Sequence, residues 1–559
     1  MLKSATNYDA LTRNFRWNIP HHFNIAQACC ESWHQLDGNR IALTHVTASG
    51  GVQDWTYSQL SKFSSKLANY LVASGHIAQD RIAVLLPQGP ETLIAHLASY
   101  KVGMIAVPLA LLFGPDALAY RLADSGVSCI VTNRQGYEKL TALKAQLPAL
   151  RNIIVTDWPT GIPVPDGVIA YPDVLQKSSD IFQIRPTKPD DPAMMIYTSG
   201  TTGPPKGALH GHRVLLGHLP GMQMSHNFLP QAGDRIWTPA DWAWAGGLLN
   251  VLLPALMLGV PVISSETQKF DPEQAFHLMQ THHVVNAFIP PTALKMLRTV
   301  PDPATRFDIS LRSLASAGEA LGAATYHWSL EAFGIAANDA YGQTECNLVL
   351  GSCAALGMNR AGAIGRAVPG HNVAILGPDG IPLPAGNQGE IAIEAPNPVM
   401  MLSYWNRPEE TASKFRGPQN NWFATGDQAI MDEDGYVSFV GRDDDIITSA
   451  GFRIGPTEVE DCLLSHKAVS LAAVVGKPDA LRTEIVKAYV VTAAGIVPSP
   501  DLADEIQRYV RERLSAHAFP REIEFRTELP LTTSGKIIRR ELRDEAIREA
   551  SGAQHEPFV

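Results

Sequence analysis

The chain has 559 residues, 45% hydrophobic and 18% charged, a length that calls for several subdomains and a balance that fits a globular protein. Its net charge of −10 and pI near 6.0 offer no basic surface to DNA, RNA or an anionic membrane, so nucleic acid is excluded as the expected partner. The six cysteines, at 29, 30, 129, 346, 353 and 462, form no CxxC and no His/Cys cluster at metal spacing. A reducing cytoplasm is therefore expected, with adjacent Cys29 and Cys30 as thiols, because a vicinal disulfide is strained.

In chain order, the N-terminal "MLKSATNYDALTRNFRWNIP" lacks the apolar core of a secretory signal. The segment "DRIAVLLPQGPETLIAHLASYKVGMIAVPL" reads as strand, turn, amphipathic helix and strand, a βαβ unit. The beat returns at 127–133, 151–157, 282–291 and 310–319, and strands apolar throughout and spaced by helices predict parallel sheets covered on both faces. The apolar run 248–263 is broken by Asn250, Pro254, Gly259 and Pro261 and is shorter than the ~20 residues of a membrane span, so a buried helix followed by a strand is expected. After Gly362, short Gly- and Pro-punctuated segments predict antiparallel strands or a small barrel. Three carboxylates, Asp443 to Asp445, mark a domain boundary. The expected organisation is an α/β N-terminal domain, 1–442, of two βα-layered parallel sheets plus a small β-barrel, a hinge at 443–445, and a smaller mobile α+β domain, 446–559.

Four segments carry chemistry. "YTSGTTGPPKG" (197–207) has the hydroxyls of Thr198, Ser199, Thr201 and Thr202, glycines at 200, 203 and 207, and Lys206, all suited to wrapping phosphate oxygens. It is no Walker A loop, because Lys206 follows two prolines and precedes a glycine; the strand "AMMIY" enters it and a helix is expected near Val214. "YGQTE" (341–345) sets the Glu345 carboxylate beside the Thr344 hydroxyl, the pairing a hard cation such as Mg²⁺ needs next to phosphate. Asp427, after a glycine, can accept hydrogen bonds from a ribose diol, and Arg442 can reach the same sugar or a phosphate. Lys536 follows Thr-Ser-Gly in a loop able to carry its charge into a distant site.

Together these segments, with "WTYSQL", "YKVGMIAVPL", "SAGEAL", "GRDDDII", "GFRIGPTEVE" and "TTSGK", resemble the adenylate-forming superfamily of acyl-CoA synthetases, nonribosomal adenylation domains and luciferases over nearly the whole chain. The resemblance implies that ATP and a carboxylate give acyl-adenylate and pyrophosphate, and that the C-terminal domain then rotates for thiol attack by coenzyme A. It implies that Thr198, Ser199, Gly200, Thr201, Thr202 and Lys206 hold the β- and γ-phosphates, and that Gly318, Glu319 and Ala320 line the adenine. Thr344 would touch the α-phosphate, Glu345 would hold Mg²⁺, and Asp427 and Arg442 would take the ribose. Lys536 resembles the catalytic lysine, Asp444 the hinge, Gly451 a residue beside the pantetheine channel, and Arg453 the arginine that meets the nucleotide phosphate. "PLTTSGK" also resembles a lysine-acetylation site, which makes a lysine acetyltransferase a candidate partner, as is a second copy of the chain.

The resemblance is to the medium-chain and acetyl-CoA synthetase-like branch, with "ADWAWAGG" placing Asp241 and Trp244 in register. Small-acid enzymes of the branch carry tryptophan where this chain has Gly342. With Ala245, Gly246 and Ala317 also small, the expected acid is medium-chain, branched or aryl, at ~0.8 kcal/mol per buried CH₂, unless Trp242 and Trp244 fold inward and refill the space. Asp241 raises a rival, a stand-alone amino-acid or aryl-acid adenylation enzyme loading a carrier protein. A fold that has lost its chemistry is disfavoured by the presence of Lys206, Glu345, Asp427, Arg442 and Lys536.

Overall fold

The computed structural model describes residues 2–159, 161–198, 204–266, 270–442, 444–449, 452–479, 481–514, 518–532 and 536–550, without the side chain of Arg453. Two large sheets form the body of the N-terminal part. An eight-stranded sheet is built around parallel strands Arg81–Leu85, Ile105–Pro108, Cys129–Thr132, Asn152–Val155 and Pro192–Thr198. A nine-stranded sheet has a parallel centre that includes Ile236–Trp237, Asn286–Phe288, Ser313–Ala317 and Asn338–Gln343, with Asn347–Gly351 returning antiparallel at one side. The strands of the first sheet are buried along almost their whole length, as expected of strands covered on both faces. Between the sheets lie helices Tyr57–Ala73, Pro90–Val102 and Val214–Ser225, and one apolar cluster runs through all three.

The expected helix and strand in the apolar run appear as a π-turn at Leu248–Leu252, helix Leu253–Leu258 and strand Val262–Ser265. One expectation changes. The helix at Val214–Ser225 does not follow the 197–207 loop directly; strand Lys206–Gly211 intervenes and pairs antiparallel with Pro192–Thr198, so that Thr198 faces Lys206. Short alternating sequence hid this strand, although all but its first residue are buried.

A third, antiparallel sheet holds Val373–Leu376, Gln388–Glu394, Phe415–Arg416, Trp422–Met431 and Val437–Arg442. Strand Ile447–Ser449 then opens a fourth sheet with Phe452–Ile454, Val469–Asp479, Thr483–Thr492 and Glu522–Arg526, flanked by helices Pro456–Leu464, Pro500–Arg513 and Arg539–Ala550 and carrying its own apolar core. Among the described residues, no helix is long and apolar enough to cross a membrane.

Candidate functional site

The C-terminal ends of the parallel strands of the nine-stranded sheet converge with the third sheet, and the site grows from that junction. Strand Asn338–Gln343 ends in a tight turn at residues 344–346 before the chain reverses into Asn347–Gly351. Asn347 takes a φ of 47°, and a Cβ placed on Gly342 would lie 1.4 Å from the Asn347 carbonyl oxygen. The turn therefore demands glycine at 342, and the space beside that residue is backbone rather than open pocket. This corrects the expectation that the missing side chain of Gly342 itself opens room for the acid.

The turn presents Glu345, 8% exposed, whose Oε1 accepts a hydrogen bond from the Tyr404 hydroxyl at 2.7 Å; its other oxygen has no hydrogen bond among the described residues. The ring of Tyr404 in turn lies 5.4 Å from the Lys206 ammonium. Burial, and then the Glu345 charge, push the Tyr404 hydroxyl pKa up, so it stays a donor. A half-buried lysine, Lys414, donates to the Thr425 carbonyl at 3.3 Å; burial lowers its pKa against the pull of Glu345. The free oxygen of Glu345 fits the one-carboxylate demand of Mg²⁺ beside phosphate.

Asp427 is 5% exposed and pairs across the third sheet with Arg442. Its Oδ2 accepts from both the Tyr341 hydroxyl and Gln343 Nε2, each at 2.6 Å, while Oδ1 stands 3.8 Å from Arg442 Nε and is left to accept from a ligand. Arg442 Nε also lies 3.5 Å from Asp444 Oδ1. Burial disfavours the Arg442 charge, but Asp427, Asp444 and Asp445 outweigh it and the pKa rises.

Strand Ser313–Ala317 leads into Gly318, at φ 103°, and Glu319, whose carboxylate accepts from Thr292 Oγ1 at 2.8 Å; Ala320 follows, partly exposed. Lys536 reaches this turn from the C-terminal sheet's side, its Nζ and Cε both 3.6 Å from where a Gly318 Cβ would be. Lys536 is exposed and sits on a hairpin closed by the Leu531–Ile537 bridge and by its own N–H to Thr532 Oγ1 at 2.9 Å. Asp461, on helix Pro456–Leu464, accepts from the free N–H groups of Ala323 and Ala324 at 3.0 and 3.2 Å, capping helix Ala323–Phe333 across the domain junction.

In the acid region, Trp244 leans edge-on against Phe113 at 5.5 Å and Trp242 is packed in the main core, 1% exposed. Ala245 and Gly246 open the helical run, and a Cβ on Gly246 would touch Phe288 at 3.5 Å. Ala317 pairs with Ala340. Asp241 is recessed, with the Ala243 N–H on its Oδ1 at 2.9 Å, and burial raises its pKa to about 6 despite that bond.

The structure thus gathers Thr198, Lys206, Gly318, Glu319, Ala320, Thr344, Glu345, Asp427, Arg442, Asp444 and Lys536 around one junction. Ser199, Gly200, Thr201, Thr202, Gly451 and the Arg453 side chain lie outside the described residues. Sequence reasoning missed Tyr404 and Lys414, which touch the site from segments with no motif of their own, the amide of Gln343, and Asp339, a recessed carboxylate in the strand beside Ser316 whose pKa burial pushes well up. Gln343 alone left a signal, inside "YGQTE".

A lysine of one domain held at a glycine turn of another, in a chain whose larger domain also buries Glu345 and Asp427 at strand ends, marks a two-domain adenylate-forming enzyme. The model of the AMP-binding enzyme family matches residues 30–405, and that of the AMP-binding enzyme C-terminal domain matches residues 458–536. Acetyl-coenzyme A synthetase of Bacillus subtilis (strain 168) is 34% identical over 512 residues, covering 90% of this chain and 87% of that protein. An acyl-CoA synthetase structure from Brucella canis is similar with a TM-score of 0.75 at 33% identity, covering 98% of this chain and 100% of that one. An anthranilate CoA ligase in complex with anthranoyl-AMP gives a TM-score of 0.87 at 26% identity, with 96% and 99% covered. The chain belongs to the AMP-binding enzyme family and is an ATP-dependent, AMP-forming acid–CoA ligase.

Proposed function

We propose that this ligase activates a carboxylic acid larger than propionate, medium-chain, branched or aryl, and passes the acyl group to coenzyme A. The observation that carries this reading is a narrow cleft with apolar walls at Phe288, Ala315, Ala340 and Leu348, in a region where Ala317 and Gly246 are also small. Trp244 packs edge-on against Phe113, and neither it nor Trp242 borders the cleft, so neither refills the space left to the acid.

In this reading Lys536 carries its charge between the acid's carboxylate and the α-phosphate, where two anions otherwise repel. The carboxylate is ionised at neutral pH and needs no base. Thr344 steadies the α-phosphate, and Lys206, with Thr198, Ser199, Gly200, Thr201 and Thr202, holds the leaving pyrophosphate. Asp427 Oδ1 and Arg442 take the ribose, and Gly318, Glu319 and Ala320 border the adenine. Glu345 would hold Mg²⁺, which when bound would neutralise charge on the phosphates. Residues 1–442 and 446–559 act as two bodies turning about 443–445, with Asp444 leaving Arg442 as they turn, and Gly451 and Arg453 serve the thiol-transfer arrangement. The exposure of Lys536 also leaves it open to a lysine acetyltransferase; mass spectrometry of the native protein finding it always unmodified would remove that idea.

Acids from acetate to octanoate, branched acids and benzoates, scored for CoA-dependent AMP release, test the substrate reading. Turnover should peak above propionate, and a peak at acetate would overturn the proposal. Pyrophosphate release without CoA consumption would replace CoA ligation by carrier loading.

A further inference from the structure

The cavity is not apolar throughout. Its remaining boundary is Met222 with Ser225, His226 and Asn250. These polar residues are buried, at 2%, 1% and 7% exposure, and the Ser225 hydroxyl has no hydrogen-bond partner among the described residues. Such a buried hydroxyl is costly unless a ligand satisfies it.

Strand geometry orders the cavity in depth. Lys536 stands at Gly318, and the side chains of Ala317, Ala315 and Ser313 follow on one face of the strand, each pair about 7 Å apart. Ala315 lines the cavity. His226 Nδ1 is bonded to Ser313 Oγ at 2.8 Å, and the Ser225 carbonyl accepts from Asn338, the strand partner of Ala315, at 2.8 Å. The polar side chains therefore lie at the inner end, and the apolar walls between them and Lys536. Asn250 sits in the π-turn one helical turn beyond Gly246, the residue at Phe288, and so belongs to the same inner level.

The inner end is polar and carries no formal charge. Among the described residues no Lys, Arg, Asp or Glu borders the cavity, and burial drives the His226 pKa down to about 3, which keeps the imidazole neutral. A second carboxylate on the substrate would find no cation there, and an ammonium would find no anion.

Resting on the reading of a ligase for acids larger than propionate, we propose that its acid carries an uncharged hydrogen-bonding group at the end remote from the carboxylate, such as a hydroxyl, a ketone or an aryl hydroxyl or amine, recognised by Ser225 with Asn250 and His226. Plain alkyl acids leave Ser225 unpaired, and dicarboxylates and amino acids bury an unpaired charge.

The test compares matched acids on the full-length enzyme by CoA-dependent AMP release: straight-chain acids of five to eight carbons, their ω-hydroxy forms, the corresponding dicarboxylates and ω-amino acids, and benzoate against 4-hydroxybenzoate. At the best length the hydroxylated acid should exceed the plain acid about tenfold in kcat/KM, and the charged forms should fall at least as far below it. Ser225→Ala and Asn250→Leu should each reverse the order, lowering kcat/KM for the hydroxy acid and raising it for the plain acid. Preference for plain acids at every length, unmoved by either variant, would overturn the inference while leaving the larger-acid reading intact. Turnover confined to acetate and propionate would overturn both.

Discussion

The two halves of the site are built differently. On the N-terminal side, Asp427 is held by Tyr341 and Gln343 and Glu345 by Tyr404, all on strands or tight turns of packed sheets. On the C-terminal side, Lys536 is exposed and reaches a single glycine turn, while Asp461 makes two hydrogen bonds to partly buried N–H groups at a helix start. The first half is preorganised, as a binding site must be to favour one geometry. The second is attached by a few polar contacts and can leave without disturbing an apolar core, as a domain that serves two half-reactions requires.

Removing the attached half's charge should separate the halves most sharply. Lys536→Ala is expected to slow acyl-adenylate formation about a thousandfold, while thioester formation from supplied acyl-adenylate continues near the native rate. Equal loss in both assays would place Lys536 outside the adenylation step. Weakening the preorganised half should act on nucleotide binding instead. Asp427→Asn keeps the size of the side chain but removes the charge that orients Arg442, and kcat/KM for ATP should fall about thirtyfold, mostly through KM. An unchanged KM for ATP in steady-state assays would show that the Asp427–Arg442 pair is purely structural.

A third variant probes a cost inside the preorganised half. Burial raises the Asp241 pKa to about 6 from 3.8, so the folded state holds its proton more tightly than the unfolded state. Stability from this group therefore falls as pH rises from about 4 through 6. Asp241→Asn should leave stability little changed below pH 4 and raise it by about 1–2 kcal/mol above pH 6, once solvent screening in the cleft is allowed for. Denaturant melts at pH 4 and pH 8 check the sign; a gain of equal size at both would mean that the charge is not the cause.

What could be read from the sequence follows the same division. Buried parallel strands announce themselves as unbroken apolar runs, so the two large sheets were legible, and Lys536, Glu345 and Asp427 sit in segments whose composition suits their chemistry. The strand Lys206–Gly211 was not legible, because six residues of mixed polarity look like loop until a partner strand pairs with them. Tyr404 and Lys414 reach the site only through tertiary packing, with no local pattern to mark them. Gly342 was legible as small but not for the right reason: its size answers to the Asn347 carbonyl, which only the path of the following turn reveals. The cavity's polar inner end joins residues 225 and 226 to 250, 313 and 338, separations that no spacing rule spans.

The gentlest cut is at the contact that holds the halves together. Asp461 lies outside the adenylation site, so its loss removes no group that touches the reacting atoms. Its carboxylate closes two otherwise open N–H groups at the start of helix Ala323–Phe333, five residues after Gly318, and a Cβ on Gly322 would meet it at 2.4 Å. That approach keeps residue 322 a glycine as long as the domains are docked this way. Asp461→Ala should therefore shift the population away from this arrangement and slow adenylation threefold to tenfold, within the ~0.5–2 kcal/mol of a lost helix cap. Thioester formation from supplied acyl-adenylate should be as fast or faster, because the arrangement being abandoned is not the one that step uses. A parallel slowing of both half-reactions would show that Asp461 stabilises the C-terminal domain itself rather than its docking.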